Sequence, residues 1–132
     1  MDGYSLLLAA TFDGTSVSAV RRKVVDVARG CHLSGDRLDD LELAVDEIMT
    51  NVVRHGGGTG QLNVWRGGDL VCQVTDAGRG FDARPFLQQE RPRPSEDGGM
   101  GLWLARQTSD KLTIDSGPDG TTIGIHQALG EQ

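Results

Sequence analysis

Apolar residues change their spacing along the chain, and each change marks an element. Residues 4 to 12, YSLLLAATF, form an almost unbroken apolar run, which predicts a buried strand. Beyond it the period lengthens. Val17, Val20, Val24, Val27 and Ala28 stand at helical spacing, so a helix is expected from about 17 to 29, with Ser16 at its start and Gly30 closing it. Ser34 starts a second helix, about 35 to 54, which Gly56-Gly57-Gly58 ends. On that helix Leu38, Leu41, Val45, Ile48, Met49 and Val52 share one face, while Glu47, Asn51 and Arg54 form a polar stripe on the opposite side.

The second half reads as hairpins around a gap. QLNVWRGGDLVCQVTD predicts two strands turning at Gly67-Gly68. Residues 82 to 98 lose all periodicity and hold three of the four prolines, so they are expected to form a long functional or disordered loop. A short helix follows, about 101 to 109. KLTIDSGPDGTTIGIHQAL closes the pattern as a hairpin turning at Gly117-Pro118-Asp119-Gly120. The order β-α-α-β-β-loop-α-β-β predicts one domain over residues 1 to 132, an α+β two-layer sandwich. Its sheet is expected to be mixed, mostly antiparallel, with helices on one face.

Composition narrows the function classes. The chain has 132 residues and a formal net charge of −6, which removes the electrostatic footprint of a general nucleic-acid binder. The local run Arg21-Arg22-Lys23 reads either as a solvated helix face or as a patch for an acidic partner. Cys31 and Cys72 have neither CxxC nor metal-ligand spacing, and they suit a reducing cytoplasm. The longest apolar stretch, Leu6 to Ala10, is too short for a bilayer, and the Met-Asp start lacks a basic leader region. A cytoplasmic protein with no membrane contact is therefore expected.

Several common chemistries have no motif here. There is no GxxxxGK[ST], GxSxG, HExxH or EF-hand loop, and His32, His55 and His126 are scattered. Residues 78 to 83 mimic a dinucleotide GxGxxA, but Pro85 sits where its helix should run. Three stretches remain. In ELAVDEIMTNVVRHG, residues 42 to 56, Glu47 and Asn51 stand one turn apart, a carboxylate able to act as base beside an amide oxygen suited to Mg²⁺. In DAGRGF, Asp76 at a strand end can accept from an exocyclic amine, and Gly78 and Gly80 let a flat ring lie against the main chain. In DGGMGLWLAR, residues 97 to 106, a glycine-rich loop runs into a helix start, a setting that favours phosphate oxygens. Each stretch alone also has an ordinary explanation: a solvent-facing stripe, a tight turn, a flexible linker.

Together and in this order, the three stretches resemble the Bergerat-fold ATP-binding superfamily, the histidine kinase-like ATPases. The Glu47 to Asn51 segment looks like its N box, DAGRGF like its DxGxG box, GGMGL like its second glycine box. Gly120-Thr121-Thr122 resembles its closing Gly-Thr element. AVDEIMTNVVRHG and GLWLARQTSDKLTI are similar to the anti-sigma factor serine kinases, and the resemblance covers about residues 4 to 129.

The resemblance implies ATP and Mg²⁺ as cofactors, and a sigma factor and a STAS-type anti-anti-sigma protein as partners. It implies that Glu47 is the general base, that Asn51 holds Mg²⁺, and that Asp76 accepts from the adenine amine, helped by Thr121 through a water. Gly78 and Gly80 would make room for the base, and Gly99, Gly101 and the Leu102 amide would meet phosphate, with Arg54 adding charge. A lid is expected at about 82 to 100, and a homodimer is a state common in this branch. One departure stands out. Where family members often carry a basic residue near the second glycine box, this chain has Asp97 and Met100, so Arg84, Arg91, Arg93 or a partner's cation would have to meet the transferred charge. The expected function is an ATP/Mg²⁺-dependent anti-sigma factor and protein serine kinase. The alternatives are a non-catalytic nucleotide-gated binding module, or the detached ATP-binding domain of a histidine kinase or larger regulator.

Overall fold

A computed structural model describes residues 3 to 78 and 99 to 129, without the side chains of Gly99 and Met100. The elements are β1 (Ser5–Asp13), α1 (Val17–Gly30), α2 (Gly35–His55), β2 (Thr59–Arg66), β3 (Asp69–Asp76), α3 (Gly99–Thr108), β4 (Lys111–Gly117) and β5 (Gly120–Ala128). The loop expected at 82 to 98, with Gly80, Arg84, Arg91, Arg93 and Asp97, lies outside the described residues.

The five strands form one sheet in the order β1-β2-β3-β5-β4. Every described pairing is antiparallel, so no parallel pair of the expected mixed sheet occurs among these residues. Alternation then decides what each strand buries. On the helix-covered face, rows of cross-strand neighbours are apolar: Cys72 beside Ile125 beside Leu112, then Val74 beside Ile123 beside Ile114. Against them pack Val20, Val24 and Ala28 of α1, Leu41, Val45, Ile48, Met49 and Val52 of α2, and Leu102 and Ala105 of α3, all within one core. Cys31 and Cys72 are buried and free, and burial pushes the Cys72 thiol up to about 12, which makes it inert packing material.

β1 departs from the expected buried strand. It is an edge strand, and only its alternate residues Leu8, Ala10 and Phe12 reach the core. Leu6 and Leu7 remain 48% and 42% exposed, and the register shifts between Leu6 and Leu8. An unbroken apolar run suggests cover on both faces, but among the described residues the helices pack on one face.

The helix ends differ in detail as well. Ser16 precedes α1 without capping it; its hydroxyl instead accepts the Asp13 N–H at 3.0 Å. Gly30 stays helical, and the chain reverses at His32, whose φ of 67° places it in the left-handed region. The Leu33 N–H then bonds back to the Ala28 carbonyl at 3.1 Å, satisfying an orphan of the last turn.

Candidate functional site

The apolar rows of the sheet give way, at one end, to a polar one. Asp76 of β3 lies beside Thr121 of β5, and Thr121 beside Ser116 of β4. These side chains follow the period of two from Val74, Ile123 and Ile114, so they face the helices from the end of the core. Thr121 is 4% exposed, and its hydroxyl lies 2.7 Å from that of Ser116. One carboxylate oxygen of Asp76 accepts the Gly78 N–H at 2.8 Å, which fixes the carboxylate just beyond the strand.

The C-terminal end of α2 closes over this row. A Cβ on Gly56 would stand 2.5 Å from the second oxygen of Asp76, and one on Gly78 would stand 2.9 Å from the Gly56 Cα. Only residues without side chains fit there. Gly120 has φ of +145° and presses on the Asp76 carbonyl, so the Gly-Thr start of β5 meets the same strand end.

Farther up α2 the contact is with α3. A Cβ on Gly101 would lie 2.7 Å from a Glu47 carboxylate oxygen and 3.4 Å from the Asn51 side-chain oxygen. The amides of the first three residues of α3, Gly99 to Gly101, precede the first donor of the helical ladder. Leu102 anchors that turn by burying its side chain in the core. The polar stripe of α2 is thus not a solvated face. Glu47 and Asn51 are half-buried beneath the start of α3, and Arg54, two turns on from Glu47, remains exposed.

These positions set the electrostatics of Glu47. Burial pushes its carboxyl above the usual glutamate range, the negative charge of Asp46 pushes the same way, and Arg54 pulls it back. Asp46 is itself held by Arg21 of α1, at 2.8 Å. A carboxyl raised in this way is better matched to taking a proton near neutral pH.

α2 therefore works as a ruler. Glu47 and Gly56 are nine residues apart, about 13 Å along the axis. Glu47 and Asn51 meet the α3 amides at one end, while Gly56 meets Asp76 at the other. The arrangement offers an acceptor-only carboxylate and a hydroxyl at the strand end. It also offers amides, an amide oxygen and a raised carboxyl at the helix start. These groups suit a purine nucleotide with a divalent ion, and Gly56, Gly78 and Gly101 are what allow the elements that carry them to approach so closely.

The structure brings Glu47, Asn51 and Gly101 together, sets Asp76, Gly78 and Thr121 together, and leaves Gly80 outside the described residues. Two contributors went unread in the sequence. Gly56 looked like a helix stop, although the first of three successive glycines is more than a stop requires. Ser116 carried no signal until the register placed it beside Thr121.

Comparison with known proteins shows the family. Residues 10–126 match the family model described as a histidine kinase-like ATPase domain. The chain is 35% identical over 114 residues to the serine-protein kinase RsbW of Halalkalibacterium halodurans, covering 76% of this chain and 70% of that protein. It is 32% identical over 107 residues to the anti-sigma F factor of Bacillus licheniformis, covering 73% of each. Among solved structures, the RsbU and RsbW domains of a Mycobacterium tuberculosis protein superpose with a TM-score of 0.68 at 21% identity, over 92% of this chain and 31% of that longer one. The mycobacterial sensor histidine kinase MprB superposes with a TM-score of 0.56 at 19% identity, over 95% of this chain and 100% of that one. The chain belongs to the histidine kinase-like ATPase domain family, in its branch of serine-protein kinases and anti-sigma factors.

Proposed function

We propose that this protein is an ATP- and Mg²⁺-dependent anti-sigma factor. In this reading it binds a sigma factor and phosphorylates a serine on a STAS-type anti-anti-sigma protein. The observation that carries the proposal is the pair of close approaches along α2, Gly101 on Glu47 and Asn51, and Gly56 on Asp76. They support a reading in which Glu47 serves as a base and Asn51 as a metal-ligating amide at one end of α2, with Asp76 as an amine acceptor at the other.

In this reading Asp76 accepts from the adenine amine, with Thr121 beside it, and Gly78 and Gly80 admit the ring. The amides of Gly99, Gly101 and Leu102 meet phosphate oxygens, and Arg54 adds positive charge. Asn51 holds Mg²⁺, which neutralises phosphate charge when bound. Glu47 takes the proton of the attacking serine hydroxyl. The new bond joins that serine oxygen to the γ-phosphorus, the bond from the γ-phosphorus to the β–γ bridging oxygen breaks, and ADP departs with the electron pair. Such transfer depends on positioning and charge neutralisation more than on covalent help from the protein.

The names of the relatives support the kinase and anti-sigma roles. The exposed Leu6 and Leu7 on edge strand β1 support a homodimer formed through that edge. No helix among the described residues is long and apolar enough to cross a membrane.

The test is incubation of the full chain with γ-labelled ATP, Mg²⁺ and a candidate STAS-domain protein. Label bound to a serine of that protein, lost with Glu47→Gln, is the expected result. Retained ATP binding and partner capture without any transfer would instead establish a nucleotide-gated binding module.

A further inference from the structure

Ser116 is outside every motif that marks the site, yet the register puts it in the polar row with Asp76 and Thr121. Its position matters because of what a hydroxyl can and cannot decide. A carboxylate accepts only, so Asp76 favours a purine carrying an amine at C6 over one carrying a carbonyl. A hydroxyl both donates and accepts. Left to rotate, Thr121 would serve adenine, whose N1 accepts, as readily as guanine, whose N1 donates.

Thr121 has a hydroxyl partner beside it. It is buried, and the Ser116 hydroxyl lies 2.7 Å from its own. Within such a pair one hydroxyl must donate to the other. We infer that Ser116 donates to the Thr121 oxygen, so that the Thr121 proton points directly at N1 of the purine, and the pocket selects adenine over guanine. Ser116 is then a positioning residue: it acts through Thr121, and its own oxygen keeps lone pairs for any further donor.

Two features of the fold make this pairing dependable. Ser116 and Thr121 are direct cross-strand partners next to the Gly117–Gly120 pair that ends the ladder, so the hairpin register alone sets their separation. The row below them, Ile114 beside Ile123, is apolar and offers Thr121 no competing acceptor.

The inference rests on the proposed placement of the base against Asp76, and the experiment separates the two. Calorimetric titrations with ATP and with GTP, each with Mg²⁺, give the affinity ratio for the wild-type chain and for Ser116→Ala, Ser116→Thr and Asp76→Asn. The expected result is a wild-type preference for ATP that narrows about two- to tenfold in Ser116→Ala, the worth of one neutral hydrogen bond, and returns in Ser116→Thr. Thermal melts of the same variants show whether the fold is intact; a packing role would move the melting temperature and leave the ratio alone. An unchanged ratio in a folded Ser116→Ala overturns the role of Ser116 while the base placement stands. Wild-type ATP affinity in Asp76→Asn, or no nucleotide binding by the wild type, overturns the base placement and this inference with it.

Discussion

Replacing Gly56 by alanine tests the strand end where the proposed reading sets the base. The backbone there has φ of −104°, which any residue adopts, so alanine meets no torsional penalty. The difficulty is space. The new Cβ would lie 2.5 Å from an Asp76 oxygen, 2.9 Å from its carboxyl carbon and 3.0 Å from the Val52 Cα. The Val52 backbone belongs to α2 and cannot yield, and the other Asp76 oxygen is tied to the Gly78 N–H at 2.8 Å. The carboxylate must therefore rotate away from its place.

Such overpacking costs about 1–3 kcal/mol, offset by about 0.4–1 kcal/mol from the stiffer unfolded chain. Net stability should fall by roughly 0–2.5 kcal/mol. The larger effect is on ATP. A misplaced carboxylate loses a hydrogen bond to a charged acceptor, about 1.5–3 kcal/mol, or roughly 10- to 150-fold in Kd. Gly57→Ala is the control: with φ of +95° and nothing within 4 Å, it strains the backbone by about 1–2 kcal/mol yet should bind ATP as the wild type does. Calorimetric titration and thermal melts read both quantities. A folded Gly56→Ala that binds ATP with wild-type affinity would refute the assignment of Asp76 to the base.

Asp76→Asn keeps the shape but not the acceptor-only character, and should weaken ATP by about 1.5–3 kcal/mol in the same titration. Glu47→Gln should abolish transfer and spare ATP binding; persistent turnover means that another group takes the proton. Because the Glu47 carboxyl is raised in the fold, its protonated form favours folding below the unfolded pKa, and that benefit is lost as pH rises through the folded value. Glu47→Gln should therefore melt somewhat higher than the wild type at neutral pH, and an equal or lower melting temperature would count against burial as the cause. Asp69 shows the reverse sign. Burial pushes its carboxyl up, but hydrogen bonds from Tyr4 and His126 outweigh this and leave it below the usual range. Its contribution is present above the unfolded pKa and lost as pH falls through the folded one, so Tyr4→Phe should lessen the acid sensitivity of the melt.

The sequence carried the elements well where one period dominated. The α2 face from Leu38 to Val52 is buried throughout, and both hairpins turn where the glycines stand. It misled where the meaning of a pattern depends on what covers it. The run at β1 is equally apolar whether one face or two are packed, and only the position of β1 at the sheet edge exposes Leu6 and Leu7. The site divides in the same way. Glu47 with Asn51, and Asp76 with Gly78, were readable because each pair is local. The contacts of Gly101 with Glu47, of Gly56 with Asp76 and of Ser116 with Thr121 join residues that are distant in the chain or placed by a ladder, and spacing alone does not encode them.

Those tertiary contacts explain why the glycines and the acids form one arrangement. Glu47 is raised because α3 covers it, and α3 can cover it only because residue 101 has no side chain. A larger residue there would push α3 from α2, rehydrate the carboxylate and return it toward the ordinary range. The loss would then appear in two measurements at once. Gly101→Ala should weaken ATP, whose phosphates the proposed reading sets at the displaced amides, and should shift the acidic limb of the transfer rate to lower pH, because a solvated Glu47 ionises earlier. A variant that weakens ATP without moving that limb would show that α3 positions phosphate but does not tune the base.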